Sequence, residues 1–252
     1  MGYTVEELQA YYSALPEVSG FDAVCKMQLP KELPYKTAID LGCRRGKGVY
    51  KMAELVGPKG KAIGIEWRAD MLACAREGEA HALQKCGFET SNMVFCEAYP
   101  ENLCDVIDEA CADFAYVNSV LNLLYDPTRA LAQLHRVLKP GGLLVCDTVL
   151  ASGPRNAAVV AKARELGNAV QSAPHRKELM SWLMVAGFDV SSIGAFSMGK
   201  ADPTLDADGN PTLPLTPSDE PVSFVATSIH IYKADGVDRH GNKLRKDISA
   251  FR

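Results

Sequence analysis

From residue 37 onward the chain alternates short apolar runs with stretches of helical period. Ala38–Leu41, Lys61–Glu66, Met93–Cys96, Phe114–Asn118 and Leu143–Asp147 are four to six residues long, too short for helices and long enough for buried strands. Between them, Lys47–Leu55 places Val49, Met52 and Leu55 on one helical face, and Asp70–Lys85 forms a longer helix that stops at Gly87. Glu101–Glu109 predicts a weaker helix. Asp126 caps the next one, Pro127 suits its first turn, Leu131, Leu134 and Leu138 form its stripe, and Lys139-Pro140-Gly141-Gly142 ends it. This βαβα rhythm predicts an α/β fold, a parallel sheet covered on both faces by helices.

The flanks read differently. Thr4 and Glu7 fit a capping box, and Val5, Leu8, Tyr12 and Leu15 share a face, so an amphipathic helix opens the chain and ends before Pro16. Residues 16–36 read as irregular. Pro154–Ala186 is mainly helical with a break at Ser172–Pro174, and Gly187 precedes a strand over Phe188–Ser197. Five prolines make residues 198–221 a loop insertion. Asp206–Asn210 within it reads as a turn, because Pro211 and Pro217 stand where an EF-hand needs Gly and Glu. Val222–Lys233 alternates as a final strand, and 234–252 is a polar tail.

Residues 37–67 carry the most specific chemistry. An apolar strand delivers Asp40 and Gly42 to its C-terminal end, the turn passes through Gly46 and Gly48 into a helix, and the next strand ends on Glu66. Glycines let a backbone approach a ligand, and a carboxylate on the second strand accepts hydrogen bonds from ribose hydroxyls, so the unit points to a nucleoside-containing cofactor. Arg44 and Arg45 follow Cys43 in the turn. Because Arg rarely adopts positive φ, the turn is expected to differ locally there or to direct Arg44 away from the ligand.

Composition narrows the setting. The chain has 252 residues, 47% of them apolar, enough for one large core. A net charge of −4 argues against nucleic acid. No apolar run approaches the roughly 18 residues of a membrane span, and the acidic N-terminal stretch lacks the pattern of a secretory signal. The eight cysteines include no CxxC pair and none at zinc-ligand spacing to histidine, so no metal site and a reducing, cytoplasmic setting are expected.

The dinucleotide pattern GxGxxG is absent. Gly42, Gly46 and Gly48 are spaced GxxxGxG behind Asp40, which resembles motif I of class I S-adenosylmethionine-dependent methyltransferases. Asn118–Leu123 and Leu138–Gly142 resemble the later motifs of that family, in order. DLGC (40–43), ELVGPKGKAIGI (54–65), KCGFETSNMVF (85–95), VNSVLNL (117–123), RVLKPGG (136–142), KELMSWLMVAGF (177–188) and FVATSIHIYK (224–233) resemble arsenite methyltransferases more closely.

The resemblance implies a Rossmann-like fold over residues 37–233 with a seven-stranded, mostly parallel sheet, and a helical lid over residues 1–36. It implies S-adenosylmethionine as cofactor. Asp40, Gly42, Cys43 and Gly46 would lie at its methionine end, Glu66 at the ribose, Trp67, Ala98 and Tyr99 at the adenine, and Asn118 and Ser119 beside the sulfonium. Arsenite methyltransferases bind their soft substrate with three thiolates. Cys25 matches one of those positions, whereas Ser119 and Ala169 stand at the others, so these positions cannot build a trithiolate site. Cys43 and Cys146, both near the cofactor end of the sheet, are less favoured substitutes than a changed substrate. A general base is not evident among His135, His175, Tyr11 and Tyr12. The reading is a methyltransferase for a small molecule, arsenite-methyltransferase-like with an altered substrate. A quinone- or sterol-type C- or O-methyltransferase and a non-catalytic cofactor-binding homologue are the alternatives.

Overall fold

The computed structural model describes residues 3–16, 27, 29–30, 33–202 and 222–234. Seven strands form one sheet: β1 (Thr37–Leu41), β2 (Lys61–Glu66), β3 (Met93–Glu97), β4 (Ala112–Asn118), β5 (Leu138–Ala151), β6 (Gly194–Ala201) and β7 (Phe224–Tyr232). Their spatial order is β3-β2-β1-β4-β5-β7-β6. The first five pair in parallel, and β7 runs antiparallel to both β5 and β6. The order reverses between β1 and β4. In open α/β sheets the crevice beyond the strand C-termini at such a switch point receives ligands.

The period-two alternation of each strand sorts its side chains between two cores. Ile39, Leu41, Ile65, Val117 and Cys146 pack with Leu131 and Leu134 of helix α4 (Pro127–Val137) and Leu179 and Leu183 of helix α6 (Arg176–Val185). Ala38, Phe114, Tyr116 and Val145 pack on the other face with Val49 and Met52 of helix α2 (Lys47–Val56) and Leu72 and Ala75 of helix α3 (Ala69–Cys86). Among the described residues, α1 (Val5–Ala14) and α5 (Ala157–Glu165) complete the helices.

Local signals hold where chemistry enforces them. The Thr4–Glu7 capping box forms, the Asp126 side chain caps α4 with Pro127 in its first turn, and Gly87 takes a left-handed conformation after α3. The break between α5 and α6 spans the predicted Ser172–Pro174.

Three expectations change. Residues 101–109 form turns rather than a helix, because the Glu101 side chain is buried and accepts the Asp126 N–H at 3.1 Å instead of facing solvent from a helix. β5 begins directly at Leu138. β6 starts at Gly194, after a 3-10 turn at Val190–Ser192, and runs to Ala201 by pairing with β7, so residues 198–201 belong to the sheet. The remainder of the predicted insertion, with Asp206–Asn210, and the tail from residue 235 lie outside the described residues.

Candidate active site

Strand β1 ends at the switch point, and the chain turns away through Gly42 at φ +75°. A Cβ on Gly42 would stand 3.2 Å from Val120 Cγ1 and 3.6 Å from Trp67 Cζ3, so only hydrogen keeps this approach open. Arg44 follows at φ +48° and lines the resulting pocket. The expectation of a locally different turn is therefore corrected. The left-handed turn persists because the Arg44 N–H donates to Glu66 Oε2 at 2.8 Å.

Glu66 is 1% exposed at the end of β2. Its Oε1 accepts from the Trp67 and Arg68 N–H groups, each at 3.0 Å. Burial pushes the carboxyl up, and the three N–H donors oppose that shift by favouring the anion. Asp40 is pushed up to about 7, chiefly by burial and then by the nearby Glu66 carboxylate.

Across the crevice, β4 ends on Asn118, and Ser119 follows it. Ser119 adopts φ +60°, its N–H donates to the Asp147 carbonyl at 2.8 Å, and its hydroxyl donates to Asn118 Oδ1 at 3.0 Å. Left-handed non-glycine residues concentrate at functional sites, where surrounding structure holds them. Four occur among the described residues, and two of them, Arg44 and Ser119, line this pocket.

Helix α1 closes one side. The Tyr12 ring lies 4.7 Å from Trp67, tilted by 39°, and 5.5 Å from Tyr99, nearly parallel at 15°. Its hydroxyl donates to Glu101 Oε1 at 2.8 Å. The Tyr11 hydroxyl donates to the Leu123 carbonyl at 2.8 Å. Burial raises both phenols, Tyr11 to about 12, so neither is a base near neutral pH.

Five of the sequence-derived positions, Gly42, Glu66, Trp67, Asn118 and Ser119, thus meet in one pocket. Tyr99 reaches it through Tyr12. Ala98 sits alongside, its N–H donating to the Glu66 carbonyl at 3.1 Å. Asp40 lies beneath the turn against Gly48, and Gly46 starts α2 against Tyr50 and Ala75. Cys43 faces the α2/α3 core and Cys146 the α4/α6 core, so the two thiols stand on opposite sides of the sheet. Burial raises both thiols far above the usual range. Cys25 lies outside the described residues. His135 packs on Phe188 at 4.9 Å and does not line the pocket, nor does His175, the residue preceding α6. Sequence reasoning missed Arg68, Met71, Val120 and Leu123 as lining residues and Glu101 as the anchor of Tyr12. Only proximity to Trp67 and Ser119 along the chain hinted at the first four.

The methyltransferase-domain family matches residues 34–187. The chain belongs to that family. A mouse (Mus musculus) arsenite methyltransferase is 32% identical over 151 residues, covering 60% of this chain and 39% of that protein. The chain therefore spans about two fifths of such relatives. A demethylmenaquinone methyltransferase of Staphylococcus carnosus is 25% identical, covering 78% of this chain and 88% of its own. An arsenic(III) S-adenosylmethionine methyltransferase from Chlamydomonas reinhardtii shares the fold, with a TM-score of 0.69, 24% identity and coverage of 89% of this chain and 72% of its own.

Family membership implies S-adenosylmethionine, and the donor set fits it. Glu66 lines the pocket as a buried carboxylate able to accept hydrogen bonds. Gly42 leaves a cradle that a Cβ would fill. Trp67 and Tyr12 add aromatic surface of the kind a purine packs on. Among the described residues no cluster of His, Cys, Asp and Glu could hold a metal ion, and no helix is long and apolar enough to cross a membrane.

Proposed function

We propose that this protein is an S-adenosylmethionine-dependent methyltransferase acting on a small molecule. The observation that carries the reading is Glu66. It is a buried carboxylate at the end of β2, held by three main-chain N–H groups, and it faces the glycine turn across from Asn118 and Ser119. The cofactor, when bound, supplies an activated methyl group on a sulfonium. Glu66 accepts the ribose hydroxyls, Gly42 admits the chain of the cofactor close to the backbone, and Asn118 and Ser119 border the reacting end. The protein's further task is to align an acceptor and exclude water.

The similarity to arsenite methyltransferases supports a related acceptor, but not one held by three thiolates. Ser119 offers a hydroxyl, and Ala169 is buried with its carbonyl accepting from Asn122 Nδ2 at 2.9 Å. A soft acceptor needs no general base, whereas a hydroxyl does. Among the described residues that line the pocket there is no His or Lys, Glu66 is committed to main-chain N–H groups, and burial holds the Tyr12 phenol well above its usual range. An acceptor that loses its proton readily, or carries none, fits this lining best. A quinone-type acceptor is the second reading. It is favoured by the demethylmenaquinone methyltransferase, which matches over 88% of its length.

Calorimetric titration with S-adenosylmethionine, S-adenosylhomocysteine and NAD tests the cofactor. Binding of the first two and not the third is expected, and no binding of either sulfur ligand would overturn the proposal. Transfer of labelled methyl to arsenite, thiols, phenols and reduced quinones then identifies the acceptor class. Binding with no transfer to any of them would point to a non-catalytic homologue.

A further inference from the structure

The Tyr12 ring packs against both Trp67 and Tyr99, the two rings that the resemblance assigns to the adenine, at 4.7 Å and 5.5 Å between centroids. A purine inserted against Tyr99 would need about 3.5 Å on each face, or about 7 Å between the rings that flank it. The Tyr12–Tyr99 spacing is too small for that, so base and phenol cannot share the slot.

The hydroxyl makes the substitution chemically specific. Tyr12 donates to Glu101, a carboxylate with no exposed surface. Glu101 Oε1 also accepts the Asp126 N–H, while Oε2 is buried with no hydrogen-bond partner. Adenine carries the same two features as Tyr12, a flat aromatic face and an exocyclic N–H donor at its edge. The pocket with Tyr12 in place has a volume of about 110 Å³, below the roughly 300–1,000 Å³ of ordinary small-molecule sites.

We infer that Tyr12 is an internal stand-in for the adenine, packed against Trp67 and Tyr99 with its hydroxyl on Glu101, and that the cofactor binds by displacing it. This rests on the reading of the pocket as a nucleoside site. Helix α1 then acts as a competitor of the cofactor rather than as a fixed wall of its site. The apparent affinity is lowered by the fraction of molecules with Tyr12 in the slot. Removing the ring raises affinity, and removing only the hydroxyl raises it less.

The test is S-adenosylhomocysteine binding by calorimetry, with association rates from tryptophan fluorescence. Trp67 is one of only two tryptophans and lies against Tyr12. Wild type, Tyr12→Phe, Tyr12→Ala and Glu66→Ala are compared. Tyr12→Ala is expected to bind about tenfold tighter and associate faster, with Tyr12→Phe between it and wild type. Adenosine, the base-containing fragment, should show the same gain, and homocysteine, which lacks the base, should show none. Equal or weaker binding by Tyr12→Ala, with faster dissociation, would overturn the inference and make Tyr12 part of the cofactor's wall. Should Tyr12→Ala fail to fold, Tyr12→Phe decides in the same way, because it keeps the ring and loses only the anchor. Failure of the cofactor reading itself looks different, since wild type and Glu66→Ala would then both fail to bind.

Discussion

Arg44 and Glu66 are joined main chain to side chain: the Arg44 N–H donates to Glu66 Oε2 at 2.8 Å while Arg44 itself sits at φ +48°. The bond orients the carboxylate, and the backbone conformation that permits it is one that suits glycine. A left-handed non-glycine residue costs about 1–2 kcal/mol. Arg44→Gly keeps the N–H and removes that cost, at some loss of chain entropy in folding. Stability should rise by about 0.5–1 kcal/mol in denaturant unfolding. A fall in stability would assign the guanidinium a role that outweighs the strain.

Asp40 gives a pH signature. Its carboxyl is pushed up to about 7 in the folded protein, against about 3.9 in an unfolded chain. Between these values the native state binds more protons, so the stability contribution is complete below about pH 4, declines toward pH 7 and is level above. Asp40→Asn does not titrate. Measured by unfolding at a series of pH values, the variant should gain on wild type by up to roughly 4 kcal/mol between pH 4 and pH 8. A difference that stays constant with pH would contradict this account.

Gly48 is required by contact rather than by φ. A Cβ there would collide with the Asp40 carboxylate and approach Met27 Cε to 2.6 Å. Gly48→Ala should cost about 1–3 kcal/mol through displacement of α2 from β1, read as a lowered denaturant midpoint. Tolerance of the substitution would mean that α2 sits farther from the strand.

Asn122 ties three segments together. Its Nδ2 donates to the Val149 carbonyl at 3.0 Å and the Ala169 carbonyl at 2.9 Å, and its Oδ1 accepts from the Thr148 hydroxyl at 2.9 Å. Asn122→Ala leaves buried groups without partners and should cost about 2–3 kcal/mol. Asn122→Asp should cost more, because it sets an anion against two carbonyl oxygens. The reverse ranking in unfolding experiments would contradict the assignment of the donor.

Much of this was legible along the chain because it depends on neighbours in sequence. Lys61–Glu66 forms the strand its apolar run predicts, Asp126 and Pro127 start α4, and Glu66 emerges at a strand end facing the glycine turn. The misread segment, 101–109, failed for a non-local reason. Its apolar residues Leu103 and Ile107 are buried as a helix would bury them, but Glu101 is drawn inward by partners on α1 and before α4. The pocket's remaining lining is likewise assembled from separated elements. Met71 comes from the first turn of α3 and Val120 and Leu123 from the segment after β4.

By itself, the sequence determined the alternation of strands and helices, the glycine turn and the acid that ends β2. Each follows from period, local sterics and capping within a few residues, which the order of side chains encodes directly. Only the tertiary structure decided that Cys43 and Cys146 fall on opposite faces, that Arg44 keeps the left-handed turn, and that Tyr12 packs against Trp67 and Tyr99. The reason is strand pairing and helix docking. They bring together groups such as Tyr12 and Glu101, 89 residues apart, whose hydrogen bond and ring contacts exist only after the sheet has formed.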